Sequence, residues 1–238
     1  MNENEFQLYL QPQFDFDHQQ LCGFEALIRW QHPERGLLSP VEFLPYIDQL
    51  GLSAELDDWV LNEAANILMH WKRLFGVCWP IAVNLSAPQF QHFQLIEKME
   101  RLQQEFGFEP EWLELEITEN VAMSDLHNGM SVIQRLREMG YGIAIDDFGT
   151  GHSSLAYLRS LPINKIKIDR SFISELQHSN NDVTILKAMI RLAHGLCKRV
   201  IAEGIETEEQ QDILQKLGCD MMQGYFYSPP MRQQFAEQ

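Results

Sequence analysis

Asp146 and Asp147 stand side by side where the apolar run Tyr-Gly-Ile-Ala-Ile (141–145) gives way to Phe-Gly-Thr-Gly (148–151). Two adjacent carboxylates at the rim of a low-dielectric core repel each other and lose solvation, so they need a cation or a proton. The pattern recurs along the chain. Asn84 follows Ile-Ala-Val, Glu116 and Glu119 punctuate Leu-Glu-Leu-Glu-Ile-Thr-Glu, and Glu203 and Glu206 punctuate Val-Ile-Ala-Glu-Gly-Ile-Glu. Apolar strands that end repeatedly in acids and amides predict a metal site assembled from several strand ends. Acids are expected at that end of the strands and not at the other. Oxygen donors without Cys or His favour Mg²⁺ or Mn²⁺ over zinc. Asp146 and Asp147 can hold two such ions, one carboxylate bridging. Ions about 3.5–4 Å apart clamp the attacking and leaving oxygens of a phosphodiester.

Three further segments carry chemistry. In Gly-Phe-Glu-Ala-Leu-Ile-Arg-Trp (23–30) the period of two places Glu25, Leu27 and Arg29 on one face. A carboxylate beside a guanidinium suits a metal together with a phosphate, and it equally suits an internal ion pair; the segment alone leaves both open. In Lys-Ile-Lys-Ile-Asp, Lys167 shares a face with Lys165 and Asp169. Pointing into a barrel, Lys167 could hold a water or a phosphate oxygen, or close a structural ion pair. Gln223, just before Gly224, offers an amide for a water or a base edge. The histidines and the Met221–Met222 pair read as packing or surface residues.

These residues need elements to position them. Strands are predicted over Phe6–Phe14, Gly23–Trp30, Pro80–Ser86, Leu113–Thr118, Tyr141–Asp147, Lys165–Asp169, Val200–Ile205 and Met221–Tyr227. Helical spacing runs through Leu56–Phe75, Gln94–Phe106, Ser131–Met139 and Val183–Leu196, and a short helix opens at Thr207 and stops at Gly218. Eight strands alternating mostly with helices predict a single α/β domain over 1–238, a TIM-like (β/α)8 barrel. The segment Asp15–Cys22 is too short for a helical crossover, so the first two strands are expected to form an antiparallel hairpin. A doubly wound open sheet is the competitor, but no Gly-x-Gly-x-x-Gly follows the first strand. In a barrel, Asn84, Glu116, Asp146, Asp147, Glu203 and Gln223 would converge on one mouth.

A formal charge of −16 argues against a nucleic acid polymer as partner, although a carboxylate cluster loaded with cations admits a small phosphorylated ligand. No apolar run is long enough to span a bilayer, so this domain is expected to make no membrane contact of its own. Met-Asn-Glu-Asn-Glu is no secretion signal. Four scattered cysteines without a Cys-x-x-Cys pair suit a reducing cytoplasm.

In order, Glu-Ala-Leu-Ile-Arg-Trp, Val-Asn-Leu-Ser, Leu-Glu-Ile-Thr-Glu, Asp-Asp-Phe-Gly-Thr-Gly-His-Ser-Ser-Leu, Lys-Ile-Asp, Ala-Glu-Gly-Ile-Glu and Gln-Gly-Tyr form a series that resembles the EAL family of bacterial cyclic-di-GMP phosphodiesterases, from about Phe6 to Met231. The resemblance implies a barrel whose first strand runs antiparallel and hydrolysis of cyclic di-GMP to 5′-pGpG with two divalent cations, Mg²⁺ or Mn²⁺. It also implies site roles. Glu25, Asn84, Glu116 and Asp146 match ligands of one ion; Asp146 and Asp147 match the second, with Glu203 assisting. Lys167 matches the lysine near the attacking water, so that Lys167, Glu203, Asp147 and Glu25 form the catalytic set. Gln11, Leu27, Arg29, Gln223, Tyr227 and Pro230 match substrate contacts. Glu119 matches the brace of the loop holding Gly149, Thr150 and Gly151, which the family ties to a homodimer, and Glu206 is grouped with these residues around the site. His152, Asp48 and Pro229 depart from the usual pattern without touching the metal set. The resemblance leaves a rival, a catalytically inactive cyclic-di-GMP receptor. Between a free-standing enzyme and a domain of a longer sensor protein, the second is favoured and the first stays open; other domains of such a protein could anchor it to a membrane.

Overall fold

A computed structural model describes residues 5–91, 94–124, 126–151, 155–174, 176 and 180–236. The chain opens with β1 (Phe6–Asp15) and β2 (Leu21–His32), an antiparallel hairpin in which Gln11 faces Glu25 and Gln13 faces Gly23. A short β3 (Gly36–Leu38) folds back on the far end of β2. Six parallel strands follow: β4 (Ile81–Asn84), β5 (Leu113–Thr118), β6 (Gly142–Phe148), β7 (Lys165–Ile168), β8 (Arg199–Ala202) and β9 (Met221–Met222). Phe14 pairs with Met222, closing β1, β2 and β4–β9 into a barrel whose first strand is antiparallel to its neighbours. The hairpin forms for the reason its length dictates: five residues between the strands cannot carry a helix. β10 (Met231–Arg232) caps the other end of β1, opposite Tyr9 and Leu10.

Around the barrel lie α1 (Pro40–Gln49), α2 (Ser53–Phe75), α3 (Ala87–Gln91) and α4 (Leu95–Phe106). They are followed by α5 (Glu119–Ser124), α6 (Leu126–Glu138), α7 (Leu155–Ser160) and α8 (Ser171–Ser174). The ring ends with α9 (Asn180–Gly195), α10 (Glu208–Leu217) and α11 (Gln233–Ala236). The helix after Thr207 is capped as its sequence implies, with Thr207 Oγ1 accepting from Gln210 N at 3.2 Å and Gln210 Oε1 accepting from Thr207 N at 3.1 Å. Helix α1 was not expected. Its signal was the capping box Ser39-Pro-Val-Glu42, where Glu42 Oε2 accepts from Ser39 N at 2.8 Å. Among the described residues no helix is long and apolar enough to cross a membrane.

Four strands are shorter than predicted: β4 spans Ile81–Asn84 rather than Pro80–Ser86, β7 stops one residue early at Ile168, and glycines shorten the last two. The eighth barrel strand ends at Met222 rather than Tyr227 because Gly224 passes against the backbone of Ile205, where a Cβ would sit 2.1 Å from Ile205 O. β8 ends at Ala202 rather than Ile205 as the backbone turns through Gly204 at φ 69°. The expectation of acids at one barrel end alone is also corrected. At the opposite end Glu114 meets Lys165 at 2.7 Å and Asp15 meets Arg199 at 2.8 Å. There each acid has its own cation.

Asp57 ties α2 to the mouth side of the barrel. Its side chain is 8% exposed, and Oδ2 accepts from Ser86 N, just past β4, at 2.9 Å. Burial pushes its carboxyl up to about 6 against hydrogen bonds from Ser86 that lower it. The fold therefore favours the protonated acid: the stability it contributes is complete below about pH 4 and is lost as pH rises through about 6. Two units correspond to about 3 kcal/mol. Asp57→Asn keeps an acceptor for Ser86 and carries no charge. In urea denaturation the variant is expected to exceed the parent by about 1–3 kcal/mol at pH 7.5, with the gap closing near pH 4; a gap that does not change with pH contradicts this.

Candidate active site at the barrel mouth

Strand β7 carries Lys167 into the barrel axis, where it is 0% exposed. Its Nζ lies 2.6 Å from Glu116 Oε2, 2.7 Å from Glu203 Oε1, 3.3 Å from Asp146 Oδ1 and 3.4 Å from Glu25 Oε2. These acids come from β5, the exit of β8, β6 and β2. Residues far apart in sequence thus meet at the carboxyl ends of the strands, as the barrel geometry requires. Asn84 joins them from β4, with Nδ2 donating to Glu25 Oε1 at 2.9 Å.

Four carboxyl groups surround one ammonium, and if all were ionised they would exceed it by three charges. Burial disfavours the lysine charge, but Glu116, Glu203, Glu25 and Asp146 overcome it and hold Lys167 firmly protonated. Burial likewise pushes Glu116 well above the usual carboxylate range, more than Lys167 can offset. Glu203, 18% exposed in its side chain, is pushed up to about 8 by burial and then by the charges of Asp146 and Glu25, with Lys167 opposing. Glu25 goes the other way. Although burial raises it, Lys167 and hydrogen bonds from Gln223 and Asn84 leave it below its ordinary value.

Among the described residues, no three His, Cys, Asp or Glu side chains stand in metal-ligating geometry, and Lys167 Nζ lies between the acids. The donor set nevertheless fits hard divalent cations. All the donors are oxygens, and Glu116 Oε1 is buried without a hydrogen bond. Glu203 Oε1 has Lys167 Nζ at 2.7 Å as its one close partner. Lone pairs left open in this way, among acids that outnumber the one ammonium, are what a Mg²⁺ or Mn²⁺ ion satisfies.

Asp146 and Asp147 would point to opposite faces in a regular strand. The ladder between β6 and β7 slips between Ile145 and Phe148, and Asp147 adopts φ 54°, a left-handed conformation that re-aims its side chain. Burial and the charges of Asp146 and Asp169 raise its carboxyl. The loop beyond is braced by Glu119, whose Oε2 accepts from Gly149 N at 3.2 Å. A Cβ on Gly151 would stand 2.9 Å from Glu119 Oε1. Thr150 Oγ1 donates to Asp147 O at 2.8 Å. Glu206 is exposed and outside the cluster. His152 lies outside the described residues.

Gln223 Nε2 donates to Glu25 Oε2 at 2.6 Å and to Gln11 Oε1 at 3.0 Å, bringing both predicted amides to the site. Arg29 lies over the Tyr9 ring at 5.6 Å with Tyr225 near it, and burial holds its guanidinium below the ordinary value. Sequence reasoning missed both tyrosines; Tyr9 was legible as an inward position two residues before Gln11. Tyr227 is not brought into the cluster. Its ring packs on Phe14 at 5.3 Å and its hydroxyl on Gln211. Pro230 is half-buried, away from the carboxylates. Leu27 walls a cavity of about 320 Å³ beside the mouth, together with Leu44, Leu56, Val60 and Leu85.

Removing the ammonium tests this electrostatic balance. In chelator, Lys167→Met is expected to lower unfolding free energy by about 3–5 kcal/mol, since it strands the buried carboxylates, and Mn²⁺ is expected to narrow the gap. A loss below about 1 kcal/mol contradicts the balance.

The model of the EAL domain family matches residues 1–230. The bifunctional diguanylate cyclase/cyclic di-GMP phosphodiesterase MucR of Pseudomonas aeruginosa is 43% identical over 224 residues, 94% of this chain and 33% of that protein. The cyclic di-GMP phosphodiesterase NbdA of the same organism is 37% identical over 231 residues, 97% of this chain and 30% of that protein. The chain therefore spans about a third of the length of these relatives. The solved PaMucR phosphodiesterase in complex with c-di-GMP superposes with a TM-score of 0.94 at 41% identity, covering 98% of this chain and 94% of that one. With its strand-end acids gathered around Lys167, the chain belongs to the EAL domain family.

Proposed function

We propose that this chain is a cyclic-di-GMP phosphodiesterase that hydrolyses one phosphodiester of the ring to linear 5′-pGpG. The observation that carries the reading is the intact acidic cluster: four carboxyl groups around one ammonium, with Glu116 Oε1 buried and unbonded among them. The phosphodiesterase names of its relatives support the choice of substrate. Two divalent cations held by Glu25, Asn84, Glu116, Asp146, Asp147 and Glu203 would supply charge for the phosphate and acidity for a water.

The chain's own residues do the rest. Water adds to phosphorus and the P–O3′ bond breaks; one water proton ends on the 3′ oxygen and the other leaves as acid. Glu203, whose side chain is partly open to the mouth beside Lys167, is placed to orient the attacking water and take its proton. Lys167, held charged, offsets the negative charge that develops on the phosphate oxygens. Arg29, lying on Tyr9, offers a planar fork to a phosphate. The apolar cavity walled by Leu27 gives one base a place beside the reacting bond. A homodimer meeting near the Gly149–Gly151 loop belongs to the same proposal and is readable by light scattering.

Incubating the protein with cyclic di-GMP and Mn²⁺ is expected to yield 5′-pGpG on chromatography. Glu25→Ala and Asp146→Ala are expected to lower turnover by about a thousandfold or more. Near-normal turnover in either variant would sink the site. Tight binding by the parent without product would instead mark a receptor.

A further inference from the structure

Beneath Glu25 the barrel is filled by amides rather than hydrocarbon. Strand β1 turns Gln11 and Gln13 inward at the period of two, and the register sets them opposite Glu25 and Gly23. Gln13 is 2% exposed. Its neighbour across the ladder, Gly23, lies close under Pro80, where a Cβ would stand 3.0 Å from Pro80 O and in ordinary contact, at 3.6 Å, with Gln13 Oε1. Gln13 Nε2 donates to Gln223 Oε1 at 2.9 Å. Gln223 Nε2 then gives its two hydrogens to Glu25 Oε2, at 2.6 Å, and to Gln11 Oε1, at 3.0 Å. Gln11 Nε2 closes the chain on Ser228 O at 3.1 Å.

The sense of this chain matters. Gln223 can present either its amine or its oxygen to Glu25, and the two ends differ little in shape. With the oxygen up, two acceptors would oppose each other at 2.6 Å. With the amine up, the Gln223 oxygen points into the barrel floor, where a buried acceptor without a donor is costly. Gln13 is the donor at that point. We infer that Gln13 is a positioning residue: through Gln223 it fixes which oxygen lone pairs Glu25 turns toward the mouth, and so sets the affinity of the site for divalent cations. This rests on the functional reading above, in which Glu25 is a ligand. Carboxylate ligands depend on such outer hydrogen bonds, and losing one costs about 10–100-fold in metal affinity.

The test is a double-mutant cycle on the full chain, with Mn²⁺ affinity measured by calorimetry without substrate and kcat and KM measured in parallel. Gln13→Met is expected to weaken Mn²⁺ binding about tenfold and Gln223→Met by about 10–100-fold, with the double variant no weaker than Gln223→Met. Turnover at saturating Mn²⁺ should recover in Gln13→Met, with KM for cyclic di-GMP unchanged. If Gln13→Met does not fold, Gln13→Asn keeps a buried amide but falls short of Gln223 and should show the same loss. Parent-like Mn²⁺ affinity in the Gln13 variants overturns the inference, and so does a double variant whose losses multiply. A parent protein that neither binds Mn²⁺ nor hydrolyses cyclic di-GMP overturns the functional reading and the inference with it. A parent that does both beside unaffected Gln13 variants overturns the inference alone.

Discussion

The ammonium of Lys167 is buried with four carboxylates within 3.4 Å, and the rest of the architecture can be understood from that concentration of charge. Bringing Glu25, Glu116, Asp146 and Glu203 together costs solvation that one cation cannot return. The cost is met by the barrel's hydrocarbon shell: β4 to β8 are almost continuously buried and hold the strand ends in register whatever the charges above them prefer. The site is thus built against local electrostatics by distant packing. Strained, high-energy constellations of this kind are where function concentrates.

The two ends of the barrel show how the same residue types lead to different outcomes. At the end of the barrel away from the mouth, Glu114 with Lys165 and Asp15 with Arg199 form one-to-one pairs. Such pairs hold the barrel's lower rim and leave no charge over. At the mouth the acids outnumber the cation, and the surplus is what makes that end able to bind and polarise a ligand.

Much of this was legible in the sequence because the information is local. Apolar runs with acids at their ends gave the strands and the mouth, and a short connection between the first two strands gave the hairpin. What was not legible depends on three-dimensional approach. Nothing local says that Gly224 lies on the backbone of Ile205 and so cuts the last strand short. Lys167 could be placed on an inward face by its period, but not at the centre of four acids contributed by other strands. Tyr227 packs on Phe14, a neighbour fixed only by barrel closure. Helix α1 was missed for a different reason, since its capping box was present and went unread.

The slip in β6 divides the Asp146–Asp147 pair mechanically. Asp146 is anchored in the ladder opposite Thr118, whereas Asp147 sits on the slipped segment in a left-handed turn, joined through its carbonyl to Thr150. One carboxylate therefore belongs to the rigid frame and its neighbour to the loop. Any force reaching that loop, from a partner or another domain, would retune the second without disturbing the first. The pair is a fixed jaw and an adjustable one.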